Sequence, residues 1–454
     1  MTNKNSKVFD STINIPTVKD DLFVHQASTV SDITIRAVLE FEIKLDFSVL
    51  QQAFNLSLQK EPILGCGFVC EKDQQPFWTK LPAQILQSSI ELVEVDKPQQ
   101  YLDNYLISPI NNSDDIQRQV MLQLKIIRHD KDILCLKMSH IVGDAAALKE
   151  YLYLVVKLYN KIIKTPDFRL GMSVFADRSL NQVYKNYDLL DRFKIFLYGL
   201  KASINRYYPA KNWSMPLEPG SASKKKILTR YVSNELFNHL SNYCQQHEVT
   251  LNDIIVAALF RALHQQLKPP PQTPLRLLST VDLRRYIKND KAKAITNLAS
   301  IFCINIGTEL GQTFNDTILK VKKNIQWQKD GFLGLEFHLF SLFDKNLFYP
   351  LLLSLSKVLN KIKSNFSSEA FLPLITNMGK LDKTALSFDH INPQKAYLIA
   401  PISLFPMTYF GISGFDHSLT ISTGFCDTVI SKSLMQKILD ETINQLESIK
   451  EISN

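Results

Sequence analysis

The sequence predicts an α/β protein whose hydrophobic core is divided between two halves. Strand-like and helix-like apolar patterns alternate along the chain, as they do in layered α/β folds. The chain has 454 residues, whereas a single core stops growing at roughly 250–300 residues. The polar segment 216–226 (PLEPGSASKKK) is the best candidate for a linker. We therefore expect an N-terminal subdomain over residues 1–165, an irregular connection over 166–226 and a C-terminal subdomain over 227–454.

The first half contains the most regular patterns. Its predicted elements, in order, are a strand over 33–43, a helix over 47–60 that Glu61-Pro62 ends, a hairpin over 120–138 and a helix over 145–164. The segment 140–144 therefore forms a short loop from a strand to a helix, which is a common position for functional side chains.

The second half repeats the mixture of strands and helices. A helix is predicted to follow Thr250-Leu251-Asn252-Asp253, which resembles a capping box. The other predicted elements are strands over 227–232, 275–281 and 418–423 and a closing helix over 431–449.

Composition limits the classes of protein that the chain can belong to. Apolar residues make up 45% and charged residues 21% of the sequence, which is ordinary for a folded globular protein. The net charge of +8 either aids solubility or attracts an anionic partner. No motif of a nucleic-acid-binding fold is present, so nucleic acid is not an expected partner.

Cysteines and apolar segments bear on localisation. None of the six cysteines forms a CxxC pair, and most lie in apolar runs, so we expect buried free thiols. The first 19 residues are polar and lack the apolar core of a secretory signal. We therefore expect a cytoplasmic protein.

The apolar segment 347–359 is too short to span a bilayer. It is either a buried helix or a segment that contacts a lipid surface or an apolar substrate.

The loop at His140 is the strongest candidate for chemistry. An imidazole titrates near neutral pH, so His140 could remove a proton from a hydroxyl or amine that attacks an acyl group. Asp144 could orient the site through an ion pair, but it could equally be the N-cap of the helix that begins at Ala145. The local pattern alone leaves both interpretations open.

The segment His140-Ile141-Val142-Gly143-Asp144 resembles the HxxxD motif of the superfamily of condensation domains and alcohol acyltransferases. Two departures are visible. Ala145 follows the aspartate where the family usually has glycine. Ser139 stands where peptide-synthetase condensation domains usually have a second histidine, which favours the free-standing acyltransferases. Further segments resemble segments of the same superfamily and occur in the same order: 45–64, 250–259, 281–285, 297–298 and 376–381. The resemblance therefore covers about residues 20–445.

The resemblance implies a fold and roles for particular residues. The expected fold is a V-shaped pseudo-dimer of two chloramphenicol-acetyltransferase-like subdomains with a central channel. His140 would be the catalytic base, supported by Gly143 and by Asp144, which would pair with Arg285 or, as the second choice, Arg284. The residues expected to line the channel are Asn297, Asn377 and Gly379, although each could instead be a turn residue.

The resemblance also implies a reaction. An acyl group would move from a thioester, acyl-CoA, to a hydroxyl or amine of a small-molecule acceptor, without a metal or cofactor. One alternative is a condensation enzyme that takes the acyl group from an acyl carrier protein. Another is a non-catalytic relative that only binds a ligand. We expect a monomer, and peripheral contact with a membrane is an open alternative.

Overall fold

The computed structural model describes residues 15–70, 75–110, 120–171, 175–207, 213, 215–221, 223–335 and 372–452. The apolar segment 347–359 lies outside the described residues, so its predicted role is not addressed by the structure. No helix in the described ranges is long and apolar enough to cross a membrane.

The N-terminal lobe is built on a mixed sheet. The elements of the first half are strands β1 (Ile15–Pro16), β2 (Thr34–Glu40), β3 (Cys66–Val69), β4 (Phe77–Lys80), β5 (Ile90–Glu94), β6 (Leu122–Arg128) and β7 (Asp132–Ser139), and helices α1 (Lys19–Ala27), α2 (Phe47–Lys60), α3 (Ala83–Gln87), α4 (Pro98–Ile107) and α5 (Ala145–Lys164). The predicted early strand, helix, hairpin and second helix are confirmed, with ends shifted by a few residues. Helices α2 and α5 pack together over one face of the sheet.

The C-terminal lobe is built on a second mixed sheet. The remaining elements are strands β8 (Lys225–Val232), β9 (Arg276–Asp282), β10 (Ala299–Asn305), β11 (Leu374–Leu381), β12 (Lys395–Ile399), β13 (Tyr409–Phe415) and β14 (Ser418–Cys426), and helices α6 (Asn181–Tyr184), α7 (Leu189–Tyr207), α8 (Asn234–Gln246), α9 (Leu251–Leu267), α10 (Phe314–Lys329), α11 (Lys432–Glu447) and α12 (Ile449–Ile452). Helix α9 begins with the predicted capping box, because the side chains of Thr250 and Asp253 each bind the other's backbone N–H.

The strand order shows how the two lobes are joined. In the described residues, a five-stranded sheet has the order β12-β2-β7-β6-β5, a six-stranded sheet has the order β10-β9-β11-β13-β14-β8, and a small three-stranded sheet has the order β1-β4-β3. Strand β12 comes from the second half of the chain but pairs with β2 of the first half, with Tyr397 opposite Val38. Side chains such as Met378 and Leu398 are buried in the N-terminal core. The lobes defined by packing therefore share residues across the sequence boundary.

The connection between the halves is more ordered than its sequence indicates. The prediction of an irregular segment over 166–226 is wrong for α7, which is a helix of 19 residues. Its exposed apolar side chains, Leu189, Leu190, Phe193 and Leu197, share one face of the helix, whereas Ile195 is buried on another. The predicted linker packs on the C-terminal lobe, where Leu217 is buried and Glu218 donates its N–H to the Val429 carbonyl at 2.9 Å.

Candidate active site

The HxxxD segment forms the predicted loop between β7 and α5. The N–H of His140 donates to the carbonyl of Ile33 at 2.7 Å, which ties the end of β7 to the start of β2. The N–H of Val142 donates to the Ser139 carbonyl at 3.1 Å and closes a tight turn. The backbone on either side of His140 is therefore fixed by the N-terminal sheet.

Gly143 lies where the loop passes close to the core. A Cβ at this position would stand 2.8 Å from Cβ of Ala147 and 3.3 Å from Sδ of Met138. The first distance is far below an ordinary carbon–carbon contact. Glycine thus allows the loop to approach α5 and β7 closely.

Asp144 holds the start of α5 and reaches the other lobe. Its Oδ1 accepts the N–H of Ala147 at 2.8 Å, which is an N-cap bond. Its Oδ2 accepts from Arg284 Nη1 at 2.9 Å and from the N–H of Leu298 at 2.7 Å. Burial alone would raise the pKa of Asp144, but the Arg284 guanidinium and these N–H groups lower it overall, so the carboxylate stays charged. The two interpretations of Asp144, cap and ion pair, therefore both hold.

The partner of Asp144 is Arg284, and the first choice of Arg285 is wrong. Strand β9 leads into a turn at Leu283–Tyr286, which directs Arg284 inward and leaves Arg285 exposed. Arg284 is 3% exposed and also donates to Asp282 and to the Thr296 carbonyl. Arg285 instead lies over the ring of Tyr286.

A second buried arginine supports the loop from its other side. Arg178 donates to both carboxylate oxygens of Asp21, to the Val142 carbonyl at 3.0 Å and to the Ile295 carbonyl at 3.0 Å. The indole of Trp78 donates to the same aspartate at 2.8 Å. This pair is not among the predicted site residues, because Arg178 lies in the segment predicted to be irregular and no local pattern marks it.

The imidazole of His140 contacts Asn297 across the lobes. Nδ2 of Asn297 lies 3.4 Å from Nδ1 of His140, and its orientation is fixed because Oδ1 accepts the N–H of Ala299 at 3.1 Å. A separation of 3.4 Å is long for a hydrogen bond. Burial lowers the pKa of His140, although hydrogen bonding with its own backbone and the charge of Asp144 act in the opposite direction.

A cavity of about 300 Å³ lies between the lobes and includes His140 in its wall. Its N-terminal side consists of α1, the 140–144 loop and the first turns of α5, and its C-terminal side of β9, β10 and β11. Much of the wall is apolar, from residues such as Val24, Ile33 and Leu374. The position matches the central channel that the sequence predicts.

The structure brings the other predicted site residues to this cavity. Asn297, Asn377 and Gly379 all line it. Asn377 donates from Nδ2 to Asn252 Oδ1 at 3.1 Å and accepts the N–H of Gly379 at 3.0 Å. Gly379 has φ of +76°, a conformation that favours glycine. Asn377 and Gly379 therefore form a turn and also line the cavity.

Lys149 also lines the cavity but is not among the predicted site residues. It follows Ala145 by four residues on α5, so helical spacing from the motif could have indicated it. In the described part of the chain, no group of three or more His, Cys, Asp or Glu side chains is arranged to hold a metal ion.

Solved structures similar to this chain match it over nearly its whole length. The trichothecene 15-O-acetyltransferase from Fusarium sporotrichioides is 12% identical with a TM-score of 0.73, covering 98% of this chain and 97% of its own. The epimerization domain from the third module of tyrocidine synthetase B is 13% identical with a TM-score of 0.68, covering 99% and 98%. The first condensation domain of the CDA synthetase is 11% identical with a TM-score of 0.67, covering 97% of each chain.

No protein-family model matches the sequence, and no curated protein matches it by sequence. The chain has the two-lobed chloramphenicol-acetyltransferase-like fold that condensation domains and acyltransferases of the HxxxD superfamily share. The predicted fold class is confirmed. Because the matched proteins are named for acetyl transfer, epimerization and condensation, the fold alone does not select a reaction.

Proposed function

We propose that this protein is an acyltransferase that moves an acyl group from a thioester, acyl-CoA, to a hydroxyl or amine acceptor, with His140 as general base. One observation carries the proposal: His140 and Asp144 both line the cavity between the lobes, and the Asp144 carboxylate is bound to Arg284. We therefore assign the proton transfer to the histidine and the support of the loop to the aspartate.

The environment of His140 suits a base at neutral pH. Because burial lowers its pKa, the imidazole is neutral at pH 7 and has a free lone pair. In the neutral ring one nitrogen carries the proton and the other accepts, and the accepting nitrogen is the base.

The His140 imidazole alone can carry out both proton transfers of the reaction. The accepting nitrogen of His140 takes the proton from the acceptor as the acceptor's oxygen or nitrogen attacks the thioester carbonyl carbon. The tetrahedral intermediate then expels the thiolate, which takes the same proton back from the imidazolium. No covalent intermediate on the enzyme is needed. The products are an ester or amide and a free thiol.

The donor can be tested together with the activity. Purified protein is given short-chain to long-chain acyl-CoA with a panel of alcohols and amines, and free thiol is measured by its absorbance with a disulfide reagent. We expect thiol release that depends on the acceptor. Absence of acceptor-dependent release with every donor, carrier-protein thioesters included, would contradict the proposal and favour a binding protein.

A carrier-protein donor is the second candidate, since condensation domains share this fold and the net charge of +8 suits an acidic carrier. The same assay separates the two donors. Thiol release from an acyl carrier protein, with none from acyl-CoA, would assign the chain to carrier-dependent condensation.

A further inference from the structure

Lys149 directs its side chain into the cavity and not to the outer surface. It follows Ala145 by four residues and Ala146 by three, and residues at these spacings share one face of a helix. All three line the cavity. One turn of helix advances by about 5.4 Å, so Lys149 stands a single turn beyond the loop that carries His140.

Among the residues that the structure describes, the ammonium of Lys149 has no hydrogen-bond or ion-pair partner. The carboxylate that acts on it most strongly is Asp282, whose Oδ1 already accepts from Arg284 at 3.1 Å. A largely buried charge without a partner is unfavourable, so a bound anion would stabilise this site.

The surroundings of Lys149 leave room and hydrogen-bonding groups for such an anion. A Cβ on residue 379 would stand 2.7 Å from Nζ, so Gly379 makes space for the ammonium. Thr280 and Thr376, on the C-terminal side of the same cavity, share a hydroxyl–hydroxyl hydrogen bond of 2.9 Å. In such a pair one hydroxyl proton stays available to a ligand.

We propose that Lys149 is the anion-binding subsite of the cavity, so that one of the two substrates carries a carboxylate or phosphate group attached to an apolar portion. Both groups present charged oxygens that accept from an ammonium. The apolar wall takes the remainder of that molecule. That this anionic molecule is a substrate rests on the proposed acyl transfer, whereas its binding at Lys149 does not.

The test measures binding with no thioester present. Octanoate, octyl phosphate and octan-1-ol are titrated separately into the protein at pH 7 in a calorimeter. At least one of the two anions is expected to bind about tenfold more tightly than the alcohol, which is the effect of one charge-assisted hydrogen bond. The tighter of the two anions identifies the group as carboxylate or phosphate.

Two variants and a matched control locate the effect. Lys149→Met and Lys149→Gln are expected to lose the preference for the anion, whereas Lys157→Met, which removes an exposed lysine from the same helix, should keep it. Equal binding of all three probes to the wild-type protein would overturn the proposal, even if neither variant folds. So would an anion preference that survives in either folded Lys149 variant. Because no thioester is used, a failure of acyl transfer would be seen separately.

Discussion

Asn297 is the residue through which the C-terminal lobe acts on the His140 imidazole. Replacing Asn297 by Asp puts a carboxylate where the amide now lies 3.4 Å from Nδ1, and the bond that Oδ1 accepts from Ala299 can persist. A negative charge at this distance stabilises the imidazolium and raises the pKa of His140. Since activity needs the neutral imidazole, the acid limb of kcat/KM should move to higher pH.

The measurement is the pH profile of thiol release for Asn297→Asp beside Asn377→Asp. Asn377 also lines the cavity but bonds Asn252 and not His140. The shift should therefore be larger at position 297. Identical profiles for the wild-type protein and Asn297→Asp would contradict the assigned contact.

The neighbouring arginines 284 and 285 give a second test at the residue scale. Arg284→Met leaves the buried Asp144 carboxylate without its ion-pair partner, which should lower the free energy of unfolding by about 3–5 kcal/mol. Arg285→Met changes an exposed side chain and should alter it by less than about 0.5 kcal/mol. Chemical denaturation of both variants measures the difference, and a larger loss for Arg285→Met would show that the pairing is misassigned.

These residues show which parts of the site local sequence can predict. His140 and Asp144 are found from a spacing of four within one loop. The choice between Arg284 and Arg285 depends on where β9 ends and its turn begins, and a shift of one residue reverses the side chain. Arg178 belongs to the site through contacts with distant segments, so no nearby pattern identifies it, whereas helical spacing from the motif could have indicated Lys149.

At the scale of the element, the β7–loop–α5 unit depends on the close approach at Gly143. A methyl group there would overlap Ala147 and press on Met138, so Gly143→Ala should lower the free energy of unfolding by about 1–3 kcal/mol. Gly171→Ala is the matched control, because no atom lies within 4 Å of the added Cβ. Denaturant unfolding compares the two variants. Equal stability would mean that the loop tolerates a side chain.

Elements were predictable where their hydrophobic pattern is local and simple. Strands β6 and β7 alternate and α5 keeps one apolar face, so their types and order follow from the sequence. Helix α7 was missed although Leu189, Phe193 and Leu197 recur at a spacing of four, which is the pattern of one helical face. The pairing of β12 with β2 joins residues more than 350 positions apart, which no local periodicity encodes.

At the scale of the whole molecule, the shared strand predicts that the lobes unfold together. Strand β12 completes the N-terminal sheet, and residues 378–400 contribute to its core. Unfolding either lobe therefore removes contacts from the other, which favours one cooperative transition.

Tryptophan fluorescence can test this coupling. Trp78 is buried in the N-terminal core and Trp213 in the C-terminal core, so two variants that keep only one of them, with Phe at the other tryptophans, report each lobe. In each variant, the fluorescence midpoint in denaturant should coincide with the midpoint from far-ultraviolet circular dichroism. A clear separation of the two midpoints would show that the lobes unfold independently.

The central claim is that His140 removes the proton during acyl transfer across the lobe interface. The most direct measurement is thiol release by His140→Ala beside His129→Ala, which changes a half-exposed histidine at the opposite end of the same hairpin. The rate should fall by about 10²-fold or more in His140→Ala, as for the loss of a general base, and stay near the wild-type value in His129→Ala. A well-folded His140→Ala protein that transfers the acyl group at the wild-type rate would contradict the claim.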